Sequence, residues 1–369
     1  MTKTKNINRK ERLEQLLNLA QAYRGWNRRQ LARELGRDTT KLAPDSGNPK
    51  FDVIIKLSEA LDWTIDEVSD WVWYGNDSKT IIQKASKKTS FAKLDVKAQD
   101  AHRAGEYKHM ISLAHTALDV ATKPEERARA YNRAAGGWDG LGRFNRVLRA
   151  AQAGLREHPI PNDLRLLLQT TAANAHYTLW QLDESRGMAQ RVVDYFEANE
   201  AESDREKVAQ AHGFYVLGHT HRRLIEIEPE LSSVHAQASK SSLEKASECY
   251  EELARNIHPS FGGIANTCRG GILEVDVFLG TVNPREGLAR IFDVISSIID
   301  PENTKKGDWL ESYGWWCIVG CNITLRHITE ERDIQRFMAM FTNKADEIAD
   351  RLNHWAMRER VFSMQFEGR

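Results

Sequence analysis

Two sets of side chains have residue types that ligate metals. His212, His219 and His221 form the densest histidine group. A zinc site needs such donors to converge on one point. On a helix, residues two apart point in different directions, so His219 and His221 diverge, and no acid stands at ligand spacing beside them. Cys317 and Cys321 are four apart and would share a helix face, but Trp315, Trp316 and Ile318 surround them. That setting suits small buried hydrophobes better than a metal pair. Gly140-x-Gly142 lacks the preceding strand and the third glycine of a dinucleotide loop, so it reads as a turn. No nucleophile, histidine and acid stand together in a pattern for covalent catalysis. The expectation is a non-enzymatic chain with no metal and no cofactor.

Binding residues are better represented. Residues 1–56 hold thirteen Lys and Arg against six Asp and Glu, on a chain whose 52 basic and 52 acidic residues cancel. Arg28, Arg29, Arg33, Arg37, Lys41 and Lys50 gather there, interleaved with Gln30, Thr39, Thr40 and Asn48. A local basic face on a neutral whole is the electrostatic footprint of a modular binder of double-stranded DNA, and it excludes a uniformly basic one. A second set lies further along: Asn132, Arg133, Asn174, Tyr177, His219, Arg222, Asn266 and Arg269. Asn pairs with a peptide amide through both its donor and its acceptor. Asn174 with Tyr177, and Asn266 with Arg269, are three apart and share a helix face. These eight are expected to line a groove for a signalling peptide, a small ligand or a protein partner.

Helices must position both sets. Apolar residues recur at three- and four-residue intervals, and long β-type alternation is missing, so the fold class is all-α. Between residues 9 and 74 five short helices are expected: residues 9–23 with Leu13, Leu16, Leu17 and Ala20 on one face; a second capped by Asn27 and ended by Gly36; a short third after Asp38; a fourth from Phe51; and a fifth opened by Thr64. Residues 76–91 turn polar and basic, with Lys79, Lys84, Lys87 and Lys88 against Asp77, and read as a connecting hinge. The domains are therefore residues 7–75 and 92–369. In the second, helical pairs recur. Residues 98–124 turn at Gly105 and 131–159 turn at Gly142, and the two glycines lie 37 residues apart. Further pairs are expected over 165–198, 206–255 (with a polar insertion near 228–242), 262–299 and 308–350. That period belongs to α-solenoids, in which the first helices of stacked pairs line a concave surface.

Residues 98–159 resemble the tetratricopeptide repeat, with small residues, a Gly-x-aromatic turn and a closing Pro124 or Pro159. The later pairs resemble it more loosely. The amino-terminal unit resembles the Cro/lambda-repressor helix-turn-helix domain. That likeness is carried by Asn27-Arg28-Arg29-Gln30-Leu31-Ala32-x-x-Leu35-Gly36, by Gly47-Asn48-Pro49, and by Leu57-Ser58-x-Ala60-Leu61-Asp62-Trp63-x-Ile65-x-x-Val68. It implies a third helix that enters a major groove while the second lies across the phosphates. One departure stands out: only twelve residues separate Gly36 from Pro49, fewer than the family usually has, and Pro44 limits the third helix to little over one turn. Bidentate guanine reading would have to come from Arg37 or be absent.

Four Cys in 369 residues exclude a disulfide scaffold and point to a reducing cytoplasm. The most apolar stretch, residues 314–325, is too short to span a bilayer. The combined expectation is a DNA-binding transcriptional regulator, dimeric, whose repeat domain senses a ligand or partner, in the manner of peptide-responsive helix-turn-helix regulators. The alternative is an interaction scaffold whose helix-turn-helix no longer binds DNA.

Overall fold

The computed structural model describes residues 9–61, 63, 65–74, 89–296 and 306–367. Among these there are seventeen α-helices, two 3-10 turns and no strand. The chain divides into two compact units, Met1–Ala85 and Ser86–Arg369. The division falls inside the expected hinge, most of which (residues 75–88) lies outside the described residues, as does Thr64.

In the first unit α1 (Arg9–Arg24), α2 (Arg28–Leu35), α3 (Phe51–Leu61) and α4 (Ile65–Tyr74) surround one apolar core. Leu13, Leu16, Leu17, Leu31, Leu35, Leu42, Ile54 and Leu57 are fully buried in it. Local chemistry fixes α2. The Asn27 side chain accepts from the backbone N–H groups of Arg29 and Gln30, and the Gln30 side chain accepts from the Asn27 N–H at 2.9 Å, a reciprocal capping box. At the other end Gly36 takes φ +65°, a left-handed conformation open to glycine. The expected third helix is only a 3-10 turn, Thr39–Lys41, capped by Asp38. Leu42 is drawn into the core directly after it and Pro44 follows, so no further turn can form. Among its described residues the first unit thus holds four α-helices and a 3-10 turn, the turn standing where a short third helix was expected.

The second unit is a run of thirteen helices: α5 (Phe91–Arg103), α6 (Tyr107–Val120), α7 (Pro124–Gly140), α8 (Phe144–Arg156), α9 (Asn162–Thr178), α10 (Leu182–Ala198), α11 (Asp204–Ile227), α12 (Ser232–Asn256), α13 (Phe261–Phe278), α14 (Pro284–Ser296), α15 (Asp308–His327), α16 (Glu331–Leu352) and α17 (Trp355–Glu367). Every helix from α5 to α13, and from α14 to α17, packs on its successor. In addition α5, α7, α9, α11, α13, α15 and α17 pack side by side in that order. The odd-numbered helices therefore form an inner layer. The polar stretch 228–242 is not an insertion. Pro229–Leu231 makes one 3-10 turn, and Ser232 already begins α12, whose Ser239 hydroxyl donates to the Gly218 carbonyl at 2.8 Å. Small Ser and Ala side chains let α12 approach α11 closely while reading as loop in the sequence.

The last helix returns to the beginning of the unit. The Trp355 N–H donates to the Leu141 carbonyl at 3.0 Å, and the Arg143 guanidinium lies over the Trp355 ring at 4.5 Å. At Gly142 (φ +64°) an added Cβ would stand 2.6 Å from the Ala356 nitrogen and from His354 Nδ1. Gly280 has a similar φ of +73°, but an added Cβ there would meet nothing within 4 Å. Gly280→Ala is therefore expected to cost about 1 kcal/mol, the left-handed backbone penalty alone. Gly142→Ala should cost about 3 kcal/mol, because the closing contact must also give way. Urea unfolding of the two variants checks this, and equal losses would mean that the closure contributes nothing.

Candidate functional site

The basic face of the first unit comes first. Arg28 is bidentate on Glu14, with bonds of 2.9 and 3.0 Å. Arg37, the residue on which guanine reading would depend, gives one guanidinium nitrogen to both oxygens of Asp52 at 2.6 Å. Asn48 accepts from Arg9, and Gln30 is engaged in the α2 cap. Thr40 donates to Asp38 at 2.6 Å, and that bond holds the Asp38 carboxyl below its usual range. Thr39 is half-buried. The exposed cations are Arg29, Lys41 and Lys50, with Arg33 3.6 Å from Glu34. The outward turn therefore presents charge, while the side chains best suited to reading bases already have partners.

In the second unit the inner helices line a cavity of about 570 Å³ that is partly open to solvent. Its wall is built by helical periodicity. Each inner helix contributes residues three or four apart, as in Leu164, Leu167, Thr171, Asn174 and Thr178 of α9, or His212, Tyr215, His219, Arg222 and Glu226 of α11. Six of the eight expected groove residues, Asn132, Arg133, Asn174, Tyr177, His219 and Arg222, stand in this wall. Asn266 and Arg269 do not. They lie on the other side of α13, where Asn266 is buried and donates to Ser312 at 2.9 Å, and Arg269 pairs with Glu251 at 2.6 Å. Sharing a face with each other did not put them on the face that looks inward.

One part of the wall is rich in guanidinium. Glu274 is buried and accepts from Arg222, from Arg326 at 2.6 Å and from Asn322 at 3.0 Å. Burial alone would raise its pKa, but the Arg222 and Arg326 charges bring it below the ordinary value. Arg223 donates to the Tyr177 carbonyl at 2.6 Å and lies between the rings of Tyr177 (3.9 Å) and Trp180 (4.3 Å). Arg360, from α17, lies 5.9 Å from the same Trp180 ring. Trp180 itself has φ +63°. The turns after α5, α7 and α13 hold that conformation with Gly105, Gly142 and Gly280; a tryptophan there carries about 1–2 kcal/mol of backbone strain. His219 is 2% exposed and neither ring nitrogen has a hydrogen-bond partner. Burial and the charges of Arg222 and Arg223 hold its pKa well below 6.5, so the imidazole is neutral.

Another part of the wall is acidic: Asp139, Asp308 and Glu311. The Asn174 amide donates to Asp139 at 3.4 Å. Glu311 is held below its ordinary value by His354 and by the Trp315 N–H, which outweigh its burial. Sequence reasoning missed these acids, together with Arg223, Glu274, Arg326 and Arg360. A signal for one of them existed: Glu274 interrupts the apolar run Gly-Gly-Ile-Leu-Glu-Val at a position in step with Ile264, Thr267 and Gly271. His102 and His212 also stand in the cavity wall. His221 pairs with His235 at 2.9 Å, burial lowers His212 to about 4, and Cys317 and Cys321 are buried in the apolar core of α15–α17. The chain matches no family model, no curated protein and no solved structure. No described helix is long and apolar enough to cross a membrane.

The acidic wall sets a pH dependence. Burial raises the Asp139 carboxyl well above 3.8, and the charges of Glu311 and Asp308 add to it. Folding therefore favours the protonated form. Its contribution is fully present below the unfolded value and is lost as pH rises through the raised one. Asp139→Asn mimics the protonated state, so the variant should melt above the parent at pH 8, the gap closing toward pH 4. Circular-dichroism melts at the two pH values test this, and a variant less stable at both would refute the assignment.

Proposed function

We propose that this protein is a ligand-responsive regulator, in which the second unit holds a small molecule in its cavity and the first unit contacts DNA phosphates. The observation that carries the reading is the charge-lined cavity. A solenoid used only as structural filler has no reason to close around guanidinium, carboxylate and an unpartnered imidazole. In this reading the first unit is a reduced helix-turn-helix of the Cro/lambda-repressor kind and the second a tetratricopeptide-like array, acting as a homodimer. Ligand binding would bias the population of one arrangement of the dimer over another.

The shortened Thr39–Lys41 turn favours phosphate contact over base reading. With Arg37 on Asp52 and Arg28 on Glu14, the cations this face offers a duplex among the described residues are Arg29, Lys41 and Lys50, with Arg33 held only by an exposed contact to Glu34. About three to four phosphate contacts give a log–log salt slope of roughly −3. Fluorescence anisotropy with labelled duplexes should show that slope, and the double reversal Arg29→Glu with Lys41→Glu should weaken binding at least about tenfold. Absence of any duplex complex at low salt would remove the DNA half of the reading. The occupied Arg37 also gives specific support to a second reading, a non-enzymatic interaction scaffold. Under that reading the charge reversal leaves partner capture unchanged and no duplex binds at all.

A further inference from the structure

We propose that the cavity of the second unit is specific for a small organic oxyanion, a carboxylate or a phosphate monoester, seated between Arg223 and Arg360 on the wall that carries His219. The inference rests on the reading of the cavity as a ligand site and names the chemistry that the site selects.

The argument begins with charge. Four guanidiniums, Arg222, Arg223, Arg326 and Arg360, share this part of the wall with two carboxylates, Glu226 and Glu274. Glu274 is used by Arg222 and Arg326, and Glu226 pairs with Arg326. Arg223 and Arg360 have no carboxylate partner among the described residues. Their contacts are the Tyr177 carbonyl, the Asn322 amide oxygen at 3.5 Å, and the faces of Tyr177 and Trp180. Burial lowers Arg223 below the ordinary guanidinium value. Tyr177 opposes this, and the like charges of Arg222 and Arg360 reinforce it.

In the acidic part of the same wall Glu311 is already engaged by His354 and by the Trp315 N–H, and burial pushes Asp139 and Asp308 toward the protonated form. A crowded carboxyl can relieve itself by taking a proton, the direction in which Asp139 and Asp308 are shifted. A guanidinium keeps its charge in any protein environment. At this end of the wall four guanidiniums stand against two carboxylates, so the unrelieved charge there is positive. Its geometry suits an oxyanion, because guanidinium forks match the paired oxygens of carboxylate and phosphate. His219 adds a neutral ring in the same wall, one turn of α11 from Arg223, with a donor and an acceptor that nothing in the protein satisfies. Trp180, in its left-handed backbone, is pinned over both unpaired guanidiniums at the point where other turns of the unit carry glycine. An aromatic held there, itself exposed, gives the organic part of the ligand a surface to pack against.

The test uses the full chain with inorganic phosphate and succinate as probes and chloride at matched ionic strength as the control. Saturating phosphate or succinate should raise the melting temperature by about 3 °C over chloride. A larger response to one probe identifies the oxyanion class, and either response supports the site. Arg223→Gln and Arg360→Gln should each weaken binding at least about tenfold by calorimetry. Arg269→Gln, on the outer side of α13, should leave it unchanged. Arg360→Gln is the safer variant for folding, since its one hydrogen bond here is long. No response beyond chloride to either probe overturns the proposal, as does binding undiminished in both cavity variants. Duplex binding is measured separately. Oxyanion binding without duplex binding keeps this site and removes the regulator reading, and the converse removes this site alone.

Discussion

Closure of the second unit on itself is the constraint on which its interior depends. Without the Trp355–Leu141 hydrogen bond and the seating of Gly142 against His354 and Ala356, the inner helices would flank an open groove. Their charged faces would then be in water. With that contact made, the same side chains stand in a space where water is limited, and each must find a partner or bear the cost of lacking one. The raised Asp139, the shared Glu274 and the stacked Arg223 are all consequences of that enclosure. Two glycines make the approach feasible: Gly142 at the second pair's turn, and Gly105, where an added Cβ would lie 3.1 Å from the Gly307 nitrogen.

In the first unit the controlling feature is length. Leu42 must reach the core shared by Leu31, Leu35 and Leu57, and Pro44 must leave the helix. Between Gly36 and Leu42 there is room for one turn and no more. The positive charge is distributed over α2, the turn and Lys50 and so does not depend on the length of that turn, whereas Arg37 folds back onto Asp52. Charge tolerates loss of geometry; bidentate recognition does not.

The helices were legible in the sequence because their signals are local. Asn27, Gln30 and Gly36 specify α2 without help from the rest of the chain, and Gly105 and Gly142 mark turns by the left-handed backbone each adopts. What proved illegible was non-local or chemically ambiguous. Residues 232–242 are small and polar, so their periodicity is faint, yet they form helix because α11 offers a matching narrow surface at Gly218. Asn266 and Arg269 occupy one face of α13, but only packing decides which face turns inward. The closure by α17 leaves no mark in any single segment, and so the acids and arginines that meet across the cavity could not be brought together from their spacing.

Those cavity residues are hard to account for by stability. Replacing a buried ionic cluster with apolar side chains of similar volume is commonly neutral or stabilising, because the charges give up hydration to be there. Apolar packing is available in the same unit: Leu288, Ile291, Phe341, Ile348 and Met357 are buried in one apolar cluster. The cavity wall instead carries Glu274 with its three donors, an imidazole with no partner and a tryptophan in glycine's conformation. Each departs from what local propensity and packing would choose, and all three lie on one cavity. Departures scattered over a fold read as tolerated imperfections, whereas departures converging on one cavity are the pattern expected of a site that is used.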